Sequence, residues 1–207
     1  MKRFVIGLAL LALAGCGDSE STVSPATRAA TFRWDTTVTE KNKRWILEAV
    51  DQARPEARQL IDEVDGTVIM GTYSEPGSGV AGMMRPLPNG DHQLVFNLAF
   101  LNGDRKIDRT TVVLHELGHV VDAAVVPPEL RDELAAQLPQ TGACLTADTG
   151  DCTAPEERFA DTFAKWALRG AVSAVGAGYS VATPASLESW GVPLATLAVK
   201  LDVAATT

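Results

Sequence analysis

His115, Glu116 and His119, within the run His115-Glu116-Leu117-Gly118-His119, carry the strongest chemical signal in the chain. On a helix, residues at i and i+4 project from one face about one turn apart, so both imidazoles can reach a single metal ion. Glu116 is rotated from His115 by roughly 100°. It can therefore stand beside a water on that ion without ligating the ion itself. The flanks Val112-Val113-Leu114 and Val120-Val121 are uncharged, as expected of a helix buried on most sides. Two imidazoles and a carboxylate in such a setting are costly unless a metal or a partner satisfies them. The plainer alternative is a buried helix with two hydrogen-bonded histidines.

A catalytic zinc site needs a third protein ligand and an open fourth position. The metzincin extension would place another His soon after His119, but the chain continues Val120-Val121-Asp122-Ala123-Ala124, and the one remaining histidine is His92. The better candidate lies downstream, in Pro155-Glu156-Glu157-Arg158-Phe159-Ala160-Asp161. Glu157 and Asp161 are again at i and i+4. One carboxylate can ligate the ion while the other, a turn away, accepts an N–H from a ligating imidazole and so fixes its orientation. Thr153-Ala154-Pro155-Glu156 fits a capping box, which gives Glu156 a structural task at the helix start. Glu157 instead shares a face with Ala160, Asp161, Ala164 and Leu168 that can pack on the histidine helix. Phe159, Phe163 and Trp166 form a neighbouring core stripe.

The HELGH run followed by an E-x-F-A-D helix resembles the gluzincin metallopeptidases, in the broad sense that includes thermolysin and the catalytic domain of anthrax lethal factor. The resemblance covers two helices, roughly residues 108 to 124 and 154 to 169. It implies a zinc-dependent metallopeptidase in which His115, His119 and Glu157 bind zinc, Glu116 is the general base and Asp161 supports a ligand. It also implies an edge strand that pairs with an extended peptide substrate, a position that His92 to Leu98 occupies in chain order. Gluzincins usually supply a Tyr or His to the oxyanion. Here the stretch before Glu157 holds neither. The chain's tyrosines are Tyr73 and Tyr179; Tyr179 is the candidate donor, with His92 and Arg158 behind it. A second reading is a zincin-like lipoprotein that binds metal or peptide with little or no turnover. A third is a structural envelope lipoprotein in which HExxH arises by chance. Peptide cleavage by metal-loaded protein separates the first two, and metal stoichiometry separates the third.

The elements that must position these residues can be read from periodicity and breakers. Thr39 caps a helix running to Ala53, and Pro55 opens a second reaching Val64. Thr67 to Tyr73 reads as a strand. Ser74 to Gly90, rich in Pro and Gly, reads as a loop, and His92 to Leu98 as a second strand. Helices follow at Asp108 to Ala124, Glu129 to Leu138, Pro155 to Leu168 and Val192 to Leu201. The expected fold is α+β, a mainly helical zincin-like domain with a small mixed sheet packed on the HExxH helix.

The 207 residues carry a formal net charge of −8, with 46% hydrophobic and 21% charged residues. That suits one globular domain. Without a Lys/Arg cluster, nucleic-acid binding is not expected. Met1-Lys2-Arg3 and the apolar run Phe4 to Leu13 read as a signal segment too short to span a bilayer. It ends in Leu13-Ala14-Gly15-Cys16, which resembles the bacterial lipobox and implies lipidation of Cys16, with the protein tethered to a membrane on its extracytoplasmic side. The expected organisation is a signal peptide over 1–15, a lipidated Cys16 and flexible tether over 16–30, and the domain over 31–207. An exported protein meets oxidising conditions. Cys144 and Cys152, which bracket a polar turn-rich stretch, are therefore expected to form a disulfide, with thiolate metal ligation as the alternative.

Overall fold

The computed structural model describes residues 31–103, 108–138, 154–171 and 184–205. Cys16, Cys144, Cys152 and Tyr179 lie outside the described residues, as do the signal, tether and disulfide readings that rest on them. The architecture is α+β, with seven helices and a four-stranded mixed sheet among the described residues.

A short strand β1 (Arg33–Trp34) leads into α1 (Glu40–Asp51), whose cap Thr39 accepts a hydrogen bond from the Asn42 amide at 3.2 Å. Helix α2 (Pro55–Asp62) begins on proline, where the missing N–H is no loss. Strand β2 (Val68–Tyr73) follows, then β3 (Gly82–Pro86), β4 (His92–Asn97) and the single-turn α3 (Leu98–Leu101). The strand order is β1-β2-β4-β3, with β1, β2 and β4 parallel and β3 antiparallel to β4. Val68, Met70 and Thr72 pair with His92, Leu94 and Phe96, which in turn face Pro86, Met84 and Gly82. With side chains alternating, these nine residues share the face that meets the helices. Arg85 and Met83, on the opposite face, are exposed.

Two expectations for the sheet need correction. The stretch Ser74 to Gly90 contains strand β3, and the His92 strand is interior rather than an edge; among the described strands β1 and β3 are the edges, β3 beside β4. Asn97 explains why a Pro/Gly-rich segment still forms a strand. Its buried amide accepts from the Glu75 N–H at 3.0 Å and donates to the carbonyls of Glu75 and Val80 at 3.1 and 3.2 Å, while its backbone N–H reaches Ala81 O at 2.9 Å. The connection is thus stapled to β4 just before β3 begins.

Helix α4 (Arg109–Ala124) starts at Asp108, whose carboxylate takes the Thr111 amide at 3.3 Å and its hydroxyl at 2.8 Å. Every residue from Thr111 to Asp122 is buried. One side of α4 meets β3 and β4, another meets α1, and a third meets α6. Helix α5 (Pro128–Ala136) folds back, and its Arg131 binds the Asp122 carboxylate at 2.7 Å and carbonyls at the end of α4.

Helix α6 (Pro155–Ala167) is capped by Ala154 with no side-chain hydrogen bond. The capping box expected through Glu156 is therefore not formed; Glu156 stands at the second helical position and Glu157 at the third. Helix α7 spans Leu187–Ala205, longer than Val192 to Leu201, and runs through Gly191 and Pro193. Tertiary packing overrides these breakers. Trp190, Leu194 and Ala198 form a buried i, i+4, i+8 stripe, and the Trp190 indole donates to Leu134 O at 3.3 Å. Arg54 fastens α2, α6 and α7 together: its amide bonds Ala167 O at 2.9 Å, and its guanidinium pairs with Glu188 at 3.0 Å and lies 4.8 Å over the Trp166 ring.

The tightest joint is between α4 and α6. A Cβ on Gly118 would lie 3.1 Å from Ala160 Cα, 3.2 Å from Phe163 Cδ1 and 3.3 Å from Ala160 O. Glycine on one helix and alanine on the other let the two backbones meet. Gly118→Val should destabilise the domain by roughly 1–3 kcal/mol through overpacking, although valine is the better helix former. Chemical denaturation measures this, and unchanged stability would show that the joint is not close-packed.

Candidate metal centre

His115 and His119 project from α4 toward the first turn of α6. Their Nε2 atoms lie 3.1 Å apart, and the Glu157 carboxylate meets them, one oxygen 3.2 Å from His115 Nε2 and the other 3.4 Å from His119 Nε2. Local structure explains each position. The i, i+4 spacing stacks the imidazoles, and their rings meet edge to face at 4.8 Å between centroids. Glu157 occupies the third helical position of α6, where unpaired backbone N–H groups favour a negative side chain.

This group can hold a metal ion. Two Nε2 atoms and a carboxylate bring lone pairs toward one point, yet two facing imidazole nitrogens can share only one proton between them. A tetrahedral ion with bonds near 2 Å sets its ligand atoms about 3.3 Å apart, close to the three spacings observed. His115 is buried, His119 nearly so, and Glu157 is about one-third exposed at 31%. The approach is thus from the Glu157 side.

Burial shapes the electrostatics. It drives the His115 imidazole down to about 4 against the pull of Glu157, which leaves it neutral and able to ligate. Burial also opposes charge on His119, but hydrogen bonding to Glu157 and the neighbouring carboxylates Glu116 and Asp122 outweigh it and raise its pKa. Glu157 is pushed up by burial and then held well below the usual carboxylate range by the two imidazoles. Glu116 is buried and rises to about 8, chiefly from loss of solvent.

The other expected site residues fall in varied places. Glu116 lies beside the triad, as the helical rotation demands. Asp161 is buried, and its carboxylate pairs with Lys165 Nζ at 2.5 Å; Lys165 in turn bears on the His115 imidazole. Sequence reading missed this lysine, although its i+4 spacing from Asp161 is a visible signal. Asp122, three residues past His119, is engaged by Arg131. His92 is not near the centre. It starts β4, four residues or about 13 Å along the strand from Phe96, whose partner Gly82 abuts Glu116. Arg158 is buried beside Glu157 on α6. Tyr73 ends β2 within electrostatic reach of Glu116; burial and the charge of Glu75 raise its phenol, against a hydrogen bond with Ser78.

Compared with known proteins, the chain matches no family model, no curated protein and no solved structure. Function must therefore be argued from the site.

Two outcomes are expected. The purified domain should bind one equivalent of a divalent transition metal, and His115→Ala or Glu157→Ala should abolish binding. Full occupancy in Glu157→Ala would move the third ligand elsewhere. The second concerns metal-free protein. Glu116 titrates near 4.5 when unfolded and about 8 when folded. Its raised pKa means that the folded state holds the extra proton, so the contribution is present below about pH 4.5 and lost as pH rises through 8. Glu116→Gln should remove that loss, gaining stability relative to the wild type at pH 8 but not at pH 4. Equal denaturation midpoints for the two proteins at both pH values would contradict the burial of this carboxyl.

Proposed function

We propose that this chain is a zinc metallopeptidase, held at the extracytoplasmic face of a membrane by a lipid on Cys16, that hydrolyses peptide bonds with Glu116 as general base. The observation that carries the reading is the convergence of His115, His119 and Glu157 beside a buried carboxyl that is not one of the ligands. Two imidazoles and one carboxylate are a common donor set for catalytic zinc, with one position left open. Zinc there would supply a Lewis acid that acidifies water and polarises a carbonyl oxygen.

The protein's own groups do the rest. Glu116, lifted by burial and drawn back toward neutrality by a nearby cation, can take a proton from water and return it to the leaving amine. Lys165 balances the charge of Asp161, the carboxylate assigned to accept an N–H from a ligating imidazole. Strand β3 runs past Glu116, and among the described strands its outer edge is unpaired. An extended peptide can add there as a further strand, through main-chain hydrogen bonds. No helix among the described residues is long and apolar enough to cross a membrane, so the proposed attachment rests on the lipobox-like Leu13-Ala14-Gly15-Cys16.

Glu116→Gln should retain zinc and lose peptide hydrolysis, because the amide keeps the shape but cannot accept the proton. Asp161→Asn should weaken metal affinity or activity by roughly 10- to 100-fold. Peptide cleavage and metal content measured on the same preparations test both. Near-wild-type cleavage by Glu116→Gln would sink the mechanism, and zinc-loaded wild type with no cleavage of any peptide would favour the binding-only reading.

A further inference from the structure

Gly82 lies at the start of β3, opposite Phe96 and on the face toward α4. Its φ is not in the left-handed region, so backbone conformation does not call for glycine here. Space does. A Cβ on Gly82 would lie 2.6 Å from Glu116 Oε1 and 2.8 Å from both Cδ and Cγ of the same side chain. These are closer than real Cβ contacts, and they involve the length of the Glu116 side chain rather than its tip alone. Glu116 is only 2% exposed, so it has little room to swing aside. The strand itself is held from the other side: Asn97 ties Glu75 and Val80, and its backbone binds Ala81, the residue before Gly82.

We propose that Gly82 is the positioning residue for Glu116: the space left by its missing side chain seats the carboxyl group directly against the backbone of the edge strand. The proposal rests on the peptidase reading for its catalytic meaning, but the packing it describes stands apart from activity. In functional terms, one residue sets both the reach of the base and its distance from a peptide lying along β3. Any side chain at position 82 trades one for the other: the carboxyl moves, or the strand does.

The test is Gly82→Ala, made in the wild type and in Glu116→Ala. In the wild-type background, kcat should fall roughly 10- to 100-fold, as for other small misplacements of catalytic groups. KM should change little, and metal occupancy should remain full. The thermal midpoint should fall in the wild-type background and fall by less than half as much in Glu116→Ala, where the obstructing side chain is gone. Equal losses of thermal midpoint in both backgrounds would overturn the proposal, as would an unchanged kcat in an active enzyme. If Gly82→Ala alone does not fold, the double variant should; failure of both would show that glycine is needed for a reason other than Glu116. If the zinc-loaded wild type proves inactive, the peptidase reading fails while the thermal comparison still decides the packing.

Discussion

The close approach of α4 and α6 is the constraint from which the rest of the site follows. Gly118 and Ala160 let the two backbones meet, and only at that separation does a side chain from the first turn of α6 reach two imidazoles on α4. Glu157 has a short reach, and each ångström added between the helices would be taken from it directly. The contact is held from behind by Phe163 and Trp166, by the Arg54 guanidinium over Trp166, and by Trp190 from α7. Much of the hydrophobic core can thus be read as a clamp on one helix pair.

The clamp buries acids, and the molecule treats each differently. Asp161 is paired with Lys165, and Asp122 with Arg131. Glu157 lies against two imidazoles, which outweigh its desolvation. For Glu116 burial wins, and its pKa rises. A cation on the three ligand atoms would relieve this imbalance by adding positive charge beside Glu116 and Glu157 together. The same pattern separates the proposed ligand from the proposed base: the carboxylate that meets the imidazoles is held strongly acidic, whereas burial raises the one beside them.

Legibility in the sequence followed the range of the forces involved. The HExxH helix was readable to within a residue, from Asp108 at its cap to Ala124 at its end, because helical spacing and capping are local. The i, i+4 relation of Glu157 and Asp161 was readable for the same reason, and so was Thr39 as a cap. The errors arose where a distant contact decides. Strand β3 was hidden in a Pro/Gly-rich segment, since its pairing depends on Asn97, a residue further along the chain. Chain order offers the His92 strand as an edge, because it does not reveal that β3 folds back outside it. Thr153 to Glu156 matches a capping pattern, yet the cap is one residue later, at Ala154, and the helix starts at Pro155. The spacing predicts the last helix only from Val192, yet α7 starts at Leu187 and runs through Gly191, because Trp190 and Leu194 are anchored in the core.

By itself, then, the sequence determined which side chains could ligate and which could act as a base. Those roles depend on residue type and on spacing along single helices, where 3.6 residues per turn converts distance in the chain into direction in space. Tertiary structure decided which strand borders the site, that His92 stands apart from it, and that Gly82 makes room for Glu116. Each of these joins residues distant in the chain or set by packing, and the energies that fix them come from excluded volume and desolvation. Neither leaves a periodic mark in the sequence.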